Sequence, residues 1–87
     1  MASRVIARIG DTIVTLEHDG GFAQRVTVTG GGKRGVHVAV IGPTRSKHEA
    51  TLENGRELAL PRTSGRIAYA QREDGRLSGI EIRLGER

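Results

Sequence analysis

The chain has 87 residues, a formal net charge of +4 and no Cys. Its length fits one domain, and the absence of Cys excludes disulfides, thiol nucleophiles and cysteine-based metal sites. No apolar run approaches the roughly 18 residues of a membrane-spanning helix, and the first residues lack the apolar stretch of a secretory signal. We therefore expect a cytoplasmic protein that has no contact with membranes.

Short β-branched runs between 13 Gly predict many short strands and no long helix. The first three strands are predicted at 3–9, 12–17 and 22–29. Gly10-Asp11 suits a two-residue hairpin loop after the first strand, and residues 18–21 form the next turn.

Two residues interrupt the alternation of these strands. Val5, Ala7 and Ile9 alternate with Arg, but Ile6 falls on the other face, which indicates that both faces are partly covered. In the third strand, one face combines apolar residues with the polar Gln24; this face carries Phe22, Gln24, Val26 and Val28.

The fourth strand is predicted at 35–41. Period-two alternation places three valines inward and three residues on the opposite face; these are Val36, Val38 and Val40, and His37, Ala39 and Ile41. Three consecutive glycines precede the strand and are expected to add flexibility. Pro43 ends it, because proline lacks the N–H that a ladder requires.

Residues 48–60 read as a hairpin around Asn54-Gly55. A two-residue loop would mix apolar and polar residues on each face. A three-residue loop, 53–55, with Gly55 in the left-handed conformation, avoids this by gathering four apolar residues on one face: Ala50, Leu52, Leu58 and Leu60. We therefore favour the three-residue loop.

Residues 61–65 are predicted as a linker turn and 66–84 as a last hairpin. A tight Asp74-Gly75 turn would place Tyr69 opposite Ile80, and Ile67 opposite Ile82. The whole chain, 1–87, is then one small all-β domain of about seven short strands. It could be a small antiparallel barrel, SH3-like or OB-like, or a two-sheet sandwich.

Positive charge is concentrated in residues 30–48, which contain Lys33, Arg34, Arg45 and Lys47 and no Asp or Glu. Arg62 and Arg66 are secondary candidates to join them in space. Arg and Lys in loops suit phosphate contact, although the excess of Arg could also reflect codon usage. We therefore predict a nucleic-acid-binding protein that contacts the phosphate backbone. Duplex DNA is favoured, because two aromatic residues are too few for stacking on single-stranded bases.

The alternative is a protein-interaction or homo-oligomeric assembly module without nucleic-acid binding. Ala39 and Ile41 would form an exposed face that gains from being covered, or two copies would pair edge to edge. Apart from either function, the basic loop at 31–35 could be a flexible, solvated hairpin loop whose charges keep a sheet edge from pairing with other chains.

An enzyme is not predicted, and no catalytic residue, metal site or cofactor is expected. The histidines lack ligand spacing; they are His18, His37 and His48. Gly32-Lys33-Arg34 is not a P-loop, because that motif needs an upstream Gly and a following Ser or Thr.

Overall fold

A computed structural model describes residues 2–20, 22–42, 45–63, 67–71 and 79–85, and of residues 61–63 and 67–71 it describes the backbone. Within these ranges the chain forms eight strands and no helix. The strands are β1 (Ala2–Ile9), β2 (Thr12–Asp19), β3 (Phe22–Thr29), β4 (Val36–Ile41), β5 (Lys47–Leu52), β6 (Arg56–Thr63), β7 (Ile67–Gln71) and β8 (Ile80–Leu84).

The strands form two four-stranded sheets, and the predicted all-β class is confirmed. Sheet A has the order β1-β2-β3-β6, and sheet B has the order β5-β4-β8-β7. Among the described strands neither sheet closes on itself, so the architecture is the sandwich and not the barrel. One pairing differs from the antiparallel expectation: β4 and β8 are parallel. The chain crosses to sheet A with β6 and returns with β7, so β8 arrives running in the same direction as β4.

Aliphatic side chains from both sheets fill the space between them. Leu16, Ile80 and Ile82 are the largest fully buried side chains, and the buried hydrophobic residues that the structure describes are all aliphatic. Val36, Val38 and Val40 are buried, as the alternation predicts. Each such side chain contributes about 1.5–3 kcal/mol through burial, so the core depends on many modest contributions.

Register shifts explain the two interruptions of alternation. In β1 the register shifts between Val5 and Ala7, and Ile6 and Ala7 are both buried while Val5 is exposed. The predicted inward position of Val5 is therefore wrong. In β3 a shift between Ala23 and Arg25 turns Ala23 into the core. Phe22 and Gln24, which the alternation placed on the inner face, are instead half-buried.

The predicted hairpin at 48–60 is wrong, because β5 and β6 belong to different sheets. Gly55 has the expected positive φ of 81°, but its N–H donates to the Val28 carbonyl at 2.8 Å and fixes a corner between the sheets. The predicted apolar face is nevertheless confirmed: Ala50, Leu52, Leu58 and Leu60 all pack against the core. Two strands that pack on one core from opposite sheets show the same alternation of apolar and polar residues as two paired strands of a hairpin.

The last third of the chain differs from the prediction in two places. Residues 61–63 continue β6 and are not a linker, because β6 lies at a sheet edge, where Pro61 is tolerated. β7 and β8 pair antiparallel as expected, but Tyr69 lies opposite Ile82 and Ile67 opposite Leu84. This shift of two residues preserves the faces. The predicted Asp74-Gly75 turn lies outside the described residues.

The turn between the first two strands is confirmed. Ile9 pairs with Thr12, so Gly10 and Asp11 form a two-residue loop, and Gly10 has a φ of 58°. The second strand extends to Asp19, two residues beyond its predicted end.

Candidate functional site

The predicted basic residues fall into two groups at opposite ends of β4. Lys33 and Arg34 lie in the loop before β4, and Arg45 and Lys47 follow its last residue. Because β4 has six residues, its ends are roughly 17 Å apart. The acid-free segment is continuous in sequence, but it forms two separate basic regions in space.

The first region is the glycine loop, residues 30–35, whose backbone forms two hydrogen bonds. Gly30, Gly31 and Gly32 have φ values of 82°, 76° and 59°. The Gly30 N–H donates to the Asn54 Oδ1 atom at 2.8 Å, and the Arg34 N–H donates to the Gly31 carbonyl at 3.0 Å. The loop is a closely packed turn that presents two exposed cations, Lys33 and Arg34.

The second region is the Arg45 turn, which joins β4 to β5. Gly42 donates its N–H to the Ser46 carbonyl at 2.8 Å, and the Arg45 N–H donates to the Gly42 carbonyl at 3.1 Å. Arg45 has a φ of 63°, the only positive value of a non-glycine residue in the described ranges. This conformation is unfavourable for a residue with a Cβ and favours glycine. Arg45 nevertheless occupies it, and its side chain is exposed.

Arg45→Gly is expected to raise the free energy of unfolding by up to about 1 kcal/mol, because glycine adopts positive φ without strain. Urea unfolding followed by circular dichroism measures this. Ser46→Gly is the matched control; it adds a flexible residue at a neighbouring position outside the left-handed region and is expected to destabilise slightly. A clear loss of stability in Arg45→Gly would show that the Arg45 side chain contributes to folding.

The four predicted cations differ in their ion pairs. Lys47 Nζ lies 3.4 Å from Glu49 Oε2, and both side chains are about half exposed. Lys33, Arg34 and Arg45 form no ion pair with any acidic side chain that the structure describes. An exposed pair of this kind contributes about 0–1 kcal/mol, so Lys47 can exchange Glu49 for another anion at little cost.

Of the two secondary candidates, Arg62 and Arg66, the structure describes the backbone of the first. The backbone of Arg62 lies near the end of β6, which begins beside Val28 and runs to a position beside Ala23. This direction carries Arg62 to the end of the sandwich where the Arg45 turn lies, hereafter the Arg45 end. Arg66 lies outside the described residues.

One cation at this end was not predicted. Arg83 of β8 is the register partner of Ile41, which also pairs with Lys47 on the other side. The side chains of Lys47 and Arg83 are 54% and 46% exposed. Sequence spacing gave no signal for this arrangement, because it depends on the parallel pairing of two strands distant in the chain.

Two of the three histidines, His18 and His37, have a polar contact in the structure. His37 Nε2 lies 3.2 Å from Glu49 Oε2, and His18 Nδ1 donates to the Gly20 carbonyl at 3.2 Å. Within the described ranges no three His, Asp or Glu side chains gather in a group that could hold a metal ion. The same ranges contain no helix of the length and apolarity needed to cross a membrane.

Comparisons of the chain with protein-family models, curated proteins and solved structures find no match. The functional argument therefore depends on the arrangement of the described residues.

Proposed function

We propose that the protein binds the phosphate backbone of nucleic acid, with duplex DNA as the favoured ligand, at the Arg45 end. Arg45 and Lys47 make the first contacts, and Arg62 and Arg83 add charge at the same end; Arg66, which lies outside the described residues, stays a candidate from the sequence alone. The observation that carries the proposal is the exposed Arg45 side chain on a left-handed backbone. The side chain of Arg45 forms no ion pair with any acidic side chain that the structure describes, so its guanidinium can bind a phosphate without first losing a partner.

The distribution of acidic residues supports this end of the molecule. Glu49 and Glu81 lie two positions inward from Lys47 and Arg83 along their strands, or about 7 Å. Both carboxylates already pair with these cations, at 3.4 and 3.3 Å. An approaching phosphate at the outer end therefore meets the guanidinium and ammonium groups before it meets the carboxylates.

The glycine loop is a second and separate contact. The edge strands β5 and β6 lie between the two basic regions, and their exposed acidic residues, Glu49 and Glu57, oppose a continuous anionic ligand, as does Glu53 in the turn that joins the strands. Lys33 and Arg34 therefore contact a different stretch of backbone from Arg45 and Lys47. Contacts of this kind position a duplex but read little of its sequence.

The test is fluorescence anisotropy with labelled duplex DNA at several salt concentrations. Four to six phosphate contacts predict a log–log salt slope of about −3 to −5. Arg45→Ala/Lys47→Ala is expected to make the slope shallower by about two and to weaken binding about tenfold or more at low salt. Single-stranded DNA and RNA are measured in parallel, and tighter binding to either would overturn the duplex assignment.

Lys33→Ala/Arg34→Ala is the matched control, because it removes the same charge from the opposite end. We expect it to weaken binding less than the Arg45→Ala/Lys47→Ala change. Equal losses in the two variants would mean that net charge alone attracts DNA. Absence of binding even at low salt would contradict the proposal as a whole.

A further inference from the structure

The outer face of sheet B carries its charges in two rows that cross the strands. The basic row consists of Lys47, Ile41 and Arg83, which are register partners on β5, β4 and β8. The acidic row consists of Glu49, Ala39 and Glu81 on the same three strands. On β7, Ala68 and Ala70 continue the register of the basic and acidic rows.

The charged side chains of both rows are accessible, Glu81 least of all at 23% exposure, and the residues between them are apolar. Lys47 and Glu49 have side chains that are 54% and 48% exposed, and the side chain of Arg83 is 46% exposed. Between the charged residues lie Ala39, which is 7% exposed, and the half-buried Ile41. A flat surface can therefore approach the centre of the face while the long charged side chains contact it at both sides.

The pattern is complementary to itself. Consider a two-fold axis that lies in the plane of the face, between the rows and parallel to them. This axis reverses the strand direction, so that each basic row lies over the acidic row of the second copy. A two-fold axis along the strands would instead place basic over basic. Two-fold symmetry doubles every favourable contact, as in other isologous interfaces.

From this complementarity we infer that the outer face of sheet B binds a second copy of the chain about the first axis. Lys47 of each copy then faces Glu49 of the other, and Arg83 faces Glu81. These contacts extend the existing ion pairs into a network across the interface. The partner differs from that of the proposed nucleic-acid function, but the two surfaces share Lys47 and Arg83, so a second copy and a nucleic acid would compete for these side chains.

The face is small, and this sets the expected affinity. Two rows about 7 Å apart across strands spaced about 4.8 Å cover far less than the roughly 800 Å² per partner of a standard interface. We therefore expect a weak dimer with a dissociation constant on the order of 10⁻⁴ M, further weakened by salt. Sedimentation velocity at protein concentrations up to about five times this value measures it.

A charge-row exchange tests the geometry. The variant Lys47→Glu/Glu49→Lys/Glu81→Arg/Arg83→Glu keeps the net charge and every pair within a strand, but it reverses both rows. We expect it to dimerise with itself as the wild type does, because each row again meets a row of opposite charge about the first axis. A variant that stays monomeric while the wild type dimerises would overturn the inference, and so would a wild type that stays monomeric.

Two single variants provide a second test that changes one exposed side chain each. Lys47→Glu and Glu49→Lys are each expected to lose self-association, because like charges then face each other. A one-to-one mixture of the two is expected to recover it. Failure to recover would overturn the inference even if the fourfold variant did not fold. No nucleic acid is present in these assays, so their outcome does not depend on the proposed function.

Discussion

Alanine at Gly30 is expected to lower the free energy of unfolding by on the order of 3 kcal/mol, the largest effect among the loop glycines. Gly30 has a φ of 82°, and a Cβ there would collide with the backbone carbonyl oxygen of Asp11. That carbonyl belongs to the β1–β2 turn and cannot rotate away as a side chain would. The substitution must therefore displace either the glycine loop or the turn beneath it. Urea unfolding followed by circular dichroism measures the loss.

Gly32→Ala is the matched control for this prediction. Gly32 has a φ of 59°, but a Cβ at this position would have no atom within 4 Å. Its expected cost is the conformational penalty alone, about 1–2 kcal/mol. A difference between the two variants therefore isolates the close approach of the loop to Asp11. Equal stability losses would show that the loop does not pack against the turn.

Leu16→Ala is expected to lower the free energy of unfolding by about 3 kcal/mol, within the usual range of about 2–5 kcal/mol for a buried leucine. Leu16 is fully buried in β2. The loss combines the transfer of apolar surface with the cavity that the neighbouring side chains leave. For a domain of this size it is a large part of the total stability, which is about 5–10 kcal/mol. Urea unfolding, with the slope checked for a change, measures it.

Val5→Ala serves as the control for Leu16→Ala. Val5 lies in the neighbouring strand but is 45% exposed, because the register shift in β1 turns it outward. Its replacement is expected to change stability by less than about 0.5 kcal/mol, the usual range for surface positions. A large effect at Val5 together with a small one at Leu16 would mean that the two faces of sheet A are reversed.

The local sequence pattern was sufficient to predict which face of a strand is apolar, but not which strands pair with each other. Ala50, Leu52, Leu58 and Leu60 pack against the core as the alternation predicts, although β5 and β6 are not paired. The alternation of apolar and polar residues shows which side of a strand is apolar. In a sandwich that side packs against the core whichever sheet the strand belongs to. Whether a Gly-containing turn folds a strand back or carries it across the core depends on contacts with distant residues. One of them, the bond from Gly55 to the Val28 carbonyl, joins two segments far apart in sequence.

For the candidate site, too, the sequence predicted the residues but not their arrangement in space. Sequence composition identified the segment that contains Lys33, Arg34, Arg45 and Lys47. The loop positions of the first three follow from Gly and Pro, but Lys47 is the first residue of β5 and not a loop residue. The separation of the two groups follows from the extended length of β4. The position of Arg83 beside Ile41 follows from the parallel pairing with β8, which local spacing does not encode. The left-handed backbone at Arg45 was likewise invisible, since Arg is not a residue type that signals this conformation.

The position of β8 between β4 and β7 has a consequence for protein synthesis. During synthesis the β4–β5 hairpin emerges before its neighbour in sheet B, because β6 and β7 come between β5 and β8 in the chain. Until β8 emerges, Val38 and Val40 of β4 lack the isoleucines that lie beside them in the sheet, and one edge of the hairpin stays open. Late closure of non-local strands is slow, and exposed edges of this kind favour aggregation. We therefore expect the nascent chain to depend on chaperones or rapid completion, and shortened chains that lack residues 80–84 to accumulate as aggregates.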